Sequence, residues 1–310
     1  MILAALLVSA ALQDPLSPDL LEYQPAARLR GTLQLGPAPG FENLIEGLAE
    51  RLKQHHPDLR GGQAPATTSS TPQAMTKGGY RLGLLGRRWT GSEVSDFRFQ
   101  WGYRPTELVI AIDAFSIVVH PDNPIRQLSL EEIETIFSSA ERRGNRPLRT
   151  WGDLGLNGEW KQQRITLYGM DKQSSGRRAF QERALRGAEF AAGVRDGSGK
   201  AVLNAVAEDP GAIGFVRGCQ ELGQCRAVPL RPLGGAAGVE PKPESVLAFS
   251  YPLAWPVYVA VRKEPGEPLD PETAEFLRLV FSRDGQSVVA DAGFLPITGM
   301  TARQESLKLK

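Results

Sequence analysis

Two cysteines and three histidines in 310 residues leave this chain short of the groups on which metal centres and much hydrolytic chemistry rest. Cys219 and Cys225 flank the short turn QELGQ with no histidine beside them. They supply only half of a tetrahedral zinc shell, which argues against a metal site. Across such a turn they can close a disulfide, the preferred reading in an exported protein, or remain two buried thiols. A Ser/His/acid hydrolase would need one of the three histidines. His120 lies at a strand end near Asp122, but no serine sits on a nucleophile elbow. GSGK at Gly197 to Lys200 lacks both the glycine five positions earlier and the following Ser or Thr of a phosphate loop. No enzyme activity and no cofactor are expected. Surplus charge is missing as well. Lys and Arg number 36 against 35 Asp and Glu, a net charge of +1, so nothing global points to nucleic acid or to a membrane surface.

Long apolar runs are scarce. The first, MILAALLVSAALQ over residues 1–13, falls short of the roughly 20 residues that span a bilayer. It fits the apolar core of a secretory signal, with Val8-Ser9-Ala10 as the cleavage site, although no Lys or Arg precedes it. A buried first strand is the alternative. No cysteine follows, so nothing supports a lipid anchor. The expectation is a periplasmic or otherwise exported protein.

What the chain does have is enough apolar residue, 41%, to bury a large core in one big domain or two lobes. Its 33 glycines and 23 prolines suit many tight turns between short elements. Strand and helix patterns alternate throughout, which argues for open α/β sheets. The stretch that organises them is TELVIAIDAFSIVVHPDNP, Thr106 to Pro124. Leu108 to Val119 is almost unbroken Val, Ile and other apolar residues, interrupted by Asp113. Such a run reads as a strand buried on both faces, the parallel-sheet signature. At about 3.3 Å per residue it would reach roughly 40 Å, long enough to leave one sheet and enter another. Ser129 and Glu132 then form a capping box for a helix over Leu130 to Phe137. Tyr251 to Val261 is a second long apolar strand, suited to run back beside the first. Other readings are local. A helix from Phe41 stops at Pro57 with His55 and His56 as a solvated end. Gly61 to Thr71 is a small-residue loop. Ser198 and Asp270-Pro271 open helices.

DAFSIVVHPDNPIRQLSLEEIETIF resembles the segment where bacterial phosphate-binding proteins, the solute receptors of phosphate ABC importers, cross from one lobe to the other. SSTPQAMTKGGYRLGLLGRRWTGSE upstream, and TWGDLGLNGEW, PGAIGF, YPLAWPVYV and GQSVVADAGFLPI downstream, keep the order and spacing from about Arg30 to about Thr298. The resemblance implies a two-lobed, periplasmic-binding-protein-like α/β fold of type II with two crossing strands as the hinge. Lobe 1 would comprise residues 28–112 and 250–310, and lobe 2 residues 113–249. It further implies phosphate or a similar oxyanion as ligand and membrane permease subunits as partners.

An oxyanion held without metal needs converging NH and OH donors, typically at helix N-termini. Three loops match the family's ligand loops. The first offers the backbone NH groups of Gly40 and Phe41, Gly40 standing where the family commonly has threonine. The second offers Ser69 and Ser70, although N-capping asks for the same residues. The third, GMDKQSSGRRAF, offers Ser174, Ser175, Gly176 and Arg177. Met170 replaces the family's arginine there, and Gly86 stands where serine usually precedes the arginine matched by Arg87. Either Arg177, Lys172 or Arg87 reaches the anion from a new direction, or tight phosphate binding is gone. A sensor, scaffold or receptor for another small solute is the alternative function.

Overall fold

The computed structural model describes residues 16–38, 40–63, 70–139, 148–219 and 222–309. Both the expected signal over residues 1–13 and Ser69 lie outside them. The chain starts on one side with β1 (Thr32–Leu35), α1 (Glu42–His55), β2 (Arg60–Gln63), α2 (Thr71–Thr76), β3 (Leu82–Leu85) and α3 (Gly91–Trp101). It crosses on β4 (Thr106–Val119) and continues through β5 (Leu128–Ser129), α4 (Leu130–Phe137), β6 (Thr166–Met170), α5 (Ser175–Arg183), β7 (Arg195–Gly197), α6 (Gly199–Glu208), β8 (Ala212–Arg217), β9 (Arg226–Ala227), β10 (Leu230–Arg231) and α7 (Pro243–Leu247). It returns on β11 (Ala254–Val261) and ends with α8 (Pro271–Val280), α9 (Arg283–Asp291), β12 (Leu295–Pro296) and α10 (Gly299–Leu307).

The long apolar run does leave one sheet for another. The first half of β4 pairs with β11 and β12, and its second half with β8 and β9. The strand order is β2-β1-β3-β11-β4-β8-β6-β7. All four partners of β4 are antiparallel to it, against the parallel neighbours expected from its composition. The apolar run reflects burial on both faces, and β4 earns that burial as the central strand of both halves. The parallel pairs lie further out, in β1 with β2 and β3 and in β6 with β7 and β8.

The two halves have separate cores. One gathers Leu35, Leu44, Leu48, Leu108, Val259 and Phe276, and the other Phe115, Phe137, Trp151, Phe180, Phe215 and Tyr251. Among the buried residues of β4, Leu108, Ile110 and Ala111 belong to the first core and Ile112, Ala114, Phe115 and Ile117 to the second. Antiparallel β4 and β11, with Asp113 opposite Trp255, run side by side through the junction.

Several local expectations need correction. The returning strand begins at Ala254, because Tyr251 to Leu253 form a turn. Gly61 to Gln63, read as the start of a loop running to Thr71, belong to edge strand β2, paired in parallel with β1. His56 is not a solvated end but 1% exposed, covered by the arm at residues 16–27. Cys219 and Cys225 are free thiols. They pack on different clusters, and Cys225 Sγ donates to Leu203 O at 3.1 Å.

Candidate functional site

Between the halves, at the junction of β4 and β11, lies a cavity of about 580 Å³. Gly40, Phe41, Ser70 and Gly86 line it from the first half, Ser175, Arg178 and Arg183 from α5, Asp113 and Trp255 from the crossing strands, and Arg217 from the end of β8. Open α/β sheets present ligands at strand ends beside helix N-termini, and β8, β3 and α5 meet here in that way. At about 30 Å³ per water the cavity holds roughly twenty waters. A five-atom oxyanion would therefore occupy one end of it.

The helix ends are set by local chemistry. Ser174 caps α5, its Oγ accepting from Arg177 N at 3.1 Å. Ser70 caps α2 in a capping box with Gln73 while facing the cavity. First-turn amides have no acceptor inside their own helix, which leaves those of Ser175 and Gly176 available to an anion.

Of the residues read as ligands, Gly40, Phe41, Ser70 and Ser175 come together on the cavity wall. The two amides of the first loop are already used. Gly40 N–H donates to Glu42 Oε1 at 3.0 Å, and Phe41 N–H to Ala38 O at 2.9 Å. Ser174 caps α5 and does not line the cavity, and Gly176 is packed under the thioether of Met170. Arg177 does not reach the cavity. Its Nη1 is 2.6 Å from Asp196 Oδ1, it also donates to Met170 O, and its guanidinium lies 3.6 Å from the Phe190 ring centre. A buried guanidinium must find a carboxylate and an aromatic face, and Arg177 finds both behind α5. Arg87 lines the cavity but is held bidentately by Glu93, with both bonds at 2.8 Å. That pairing raises the Arg87 pKa and pulls Glu93 down to about 2. Lys172 is exposed and off the cavity wall.

Sequence reasoning missed Arg217, Arg183 and Arg178, and left Asp113 without a role. Arg217 ends the strand AIGFVR, so the strand-end rule pointed to it. Asp113 was marked by being a lone acid in a buried strand. Nothing local marks Arg183, which depends on the approach of α5 to the other half. Arg183 donates to Gly86 O and lies 4.8 Å from the Trp255 ring centre. Asp113 is 1% exposed, with Arg217 Nε 3.2 Å from its Oδ1. Neither carboxylate oxygen makes a hydrogen bond of good geometry to a described residue. Burial pushes the Asp113 pKa up to about 6, opposed first by the charge of Arg217 and then by the Ala114 backbone and Arg183. In all, four arginines and two carboxylates, Asp113 and Glu182, line the cavity, which favours an anion. Among the described residues no cluster of His, Cys, Asp and Glu could hold a metal ion.

A larger groove of about 1010 Å³ runs between residues 19–24, α8 and α10. It is mostly apolar, and its arginines, Arg278 and Arg303, are already paired with Glu275 and Asp19. It offers no converging donors, so the junction cavity is the candidate site.

Two lobes, two crossing strands and a cationic cavity between them are the architecture of the periplasmic-binding-protein class. The PBP superfamily domain profile matches residues 24–284, and the chain belongs to that family. It is 35% identical over 291 residues to the phosphate-binding protein PstS of Pseudomonas aeruginosa, covering 93% of this chain and 90% of that one. PstS of Bacillus subtilis is 24% identical over 277 residues, covering 89% and 84%. Among solved structures, a possible phosphate binding protein from Planctomyces limnophilus superposes with a TM-score of 0.77 at 18% identity, covering 91% of this chain and 98% of that one. An ABC-type phosphate transport receptor from Vibrio cholerae gives 0.63 at 17%, covering 86% and 100%. These two likenesses establish the shared fold.

Proposed function

We propose that this chain is an exported receptor that captures phosphate or a similar oxyanion between its lobes and delivers it to the membrane permease subunits of an ABC importer. The observation that carries this reading is the cationic cavity at the junction, in a chain of this family. Lobe 1 comprises residues 28–112 and 250–310, and lobe 2 residues 113–249. The ligand is held by the hydroxyls of Ser70 and Ser175, by the first-turn amides of Ser175 and Gly176, and by Ser69 on the same loop as Ser70. Gly40 and Phe41 contribute their amides only if Glu42 and Ala38 release them. No helix among the described residues is long and apolar enough to cross a membrane.

Calorimetric titration with inorganic phosphate tests the reading, and saturable binding at one site is the expected result. A hydrogen bond to a charged group contributes about 1.5–3 kcal/mol. Ser175→Ala should therefore weaken binding by roughly tenfold or more, at about 1.4 kcal/mol per decade. If phosphate, arsenate and sulfate all fail to bind at millimolar concentration, the receptor reading is lost and the degenerate-receptor alternative replaces it.

A further inference from the structure

Building on that reading, we propose that Arg217, held on one side by Asp113, supplies the counter-charge for the bound oxyanion in place of the arginine missing at position 170. The cations that the loop pattern suggested are unavailable. Arg177 is committed to Asp196 behind α5, Arg87 to Glu93, and Lys172 lies off the cavity. Arg178 is exposed at the cavity mouth, and Arg183 is already tied to Gly86 O across the junction.

Arg217 differs from all of these. Its side chain is only 14% exposed, with its guanidinium 4.8 Å from the Phe294 ring centre and 5.8 Å from that of Phe115. Two aromatic faces hold it in place, and its Nε is buried without a hydrogen bond to a described residue. Asp113 faces the Nε side, with Oδ1 at 3.2 Å. Nε and both Asp113 oxygens are thus buried polar atoms left unsatisfied, and such exceptions ask for a reason. A guanidinium carries five N–H donors, four of them on the terminal nitrogens. A planar fork on a cavity wall matches two oxygens of a tetrahedral oxyanion. Asp113 is 1% exposed and lines the same cavity, so the pair it forms with Arg217 sits on the wall of the candidate site.

Asp113 has two opposed effects here. It orients Arg217 through Nε, and it sets a negative charge beside the ligand. Removing that charge while keeping the shape should strengthen binding, whereas a pair that only braces the fold would weaken when either partner changes.

The test is phosphate titration of the purified full chain and its variants at pH 7.5, with thermal melts to verify folding. Arg217→Gln should weaken binding by at least roughly tenfold. Arg217→Lys should recover part of the loss, because a point charge remains without the fork. Lys172→Gln should leave binding unchanged, and Asp113→Asn should tighten it severalfold. Should Arg217→Gln fail to fold with Asp113 stranded, the double variant Asp113→Asn/Arg217→Gln removes both charges and takes its place. Binding by Arg217→Gln within twofold of wild type, or by the double variant within twofold of Asp113→Asn, overturns the proposal while leaving the receptor reading standing. So does an Asp113→Asn variant that binds as weakly as Arg217→Gln. A wild type silent to phosphate, arsenate and sulfate removes the receptor reading itself, and with it any anion for Arg217 to hold.

Discussion

At the scale of single residues, His56 shows how one buried imidazole ties a loose segment down. Leu29 N–H donates to its Nδ1 at 3.3 Å, so the ring hydrogen sits on Nε2 and is donated to the Tyr23 hydroxyl at 2.8 Å. Tyr23 in turn donates to Glu275 Oε1 at 2.8 Å, and Glu275 accepts from Ala26 N as well. The chain of donors runs one way and requires a neutral His56, because a second ring hydrogen would face the Leu29 N–H. Burial lowers the His56 pKa, with the charge of Glu275 opposing it. The folded value therefore lies below the unfolded value of about 6.5. The contribution to stability is complete above about pH 6.5 and is lost as the pH falls through the lowered folded value. His56→Gln abolishes that titration while both proteins keep the same carboxylates. Between pH 7 and 5 the melting temperature of wild type should thus fall more steeply than that of the variant. Parallel slopes would show that His56 carries no pH-dependent stability.

At the scale of elements, the joints between helices are closely fitted. Ser282 caps α9, its Oγ accepting from Gly285 N at 3.3 Å, two residues after α8 ends. A Cβ on Gly285 would fall on the carbonyl of Leu279, which is backbone and cannot swing away. Gly285→Ala should cost about 1–3 kcal/mol, the usual range for overpacking. It should lower the melting temperature by several degrees, and an unchanged melt would mean that the joint relaxes freely. This scale also separates what the sequence discloses from what it does not. The capping signals at Ser129, Ser198 and Asp270 were legible because donor and acceptor lie within four residues of each other. Thr90 and Glu93 carry the same signature for α3, which the same rule would have found. The crossing of β4 was legible from length and composition, whereas its antiparallel partners were not, since burial on both faces does not encode direction. His56 and Arg177 were misplaced for a related reason. Their environments are built by the arm at residues 16–27 and by Asp196 with Phe190, contacts that no local pattern contains. The loops bounding the site could be read from their serines and glycines. Its charges could not, because Arg183 and Arg217 arrive from elements whose meeting is a property of the whole fold.

At the scale of the whole molecule, the two lobes touch across the cavity. A Cβ on Gly40 would stand 3.7 Å from that of Ser175, and Arg183 spans from α5 to Gly86 beyond the end of β3. β4 and β11 run side by side through the junction, with a register shift between Val257 and Tyr258, so opening is a rotation about this strand pair, as in other hinged receptors. The Arg183 bond then acts as a catch that favours the closed arrangement. Its charged donor places it among the stronger hydrogen bonds, about 1.5–3 kcal/mol when shielded and less here because the side chain is partly exposed. Even about 1.4 kcal/mol changes the ratio of closed to open molecules tenfold. Arg183→Ala should therefore open the anion-free protein, seen as a larger radius of gyration in small-angle scattering. Saturating phosphate should bring the variant back to the wild-type value, because a ligand that bridges both lobes supplies the lost contact. Its phosphate affinity should fall by the fraction of closed molecules lost, since a ligand that needs the closed state binds in proportion to its population. Trp255, against which Arg183 stacks, offers a second readout in its emission, with Trp255→Phe identifying that part of the signal. Identical scattering by wild type and Arg183→Ala without anion would refute the catch. The closed form would then rest on the packing of the crossing strands alone.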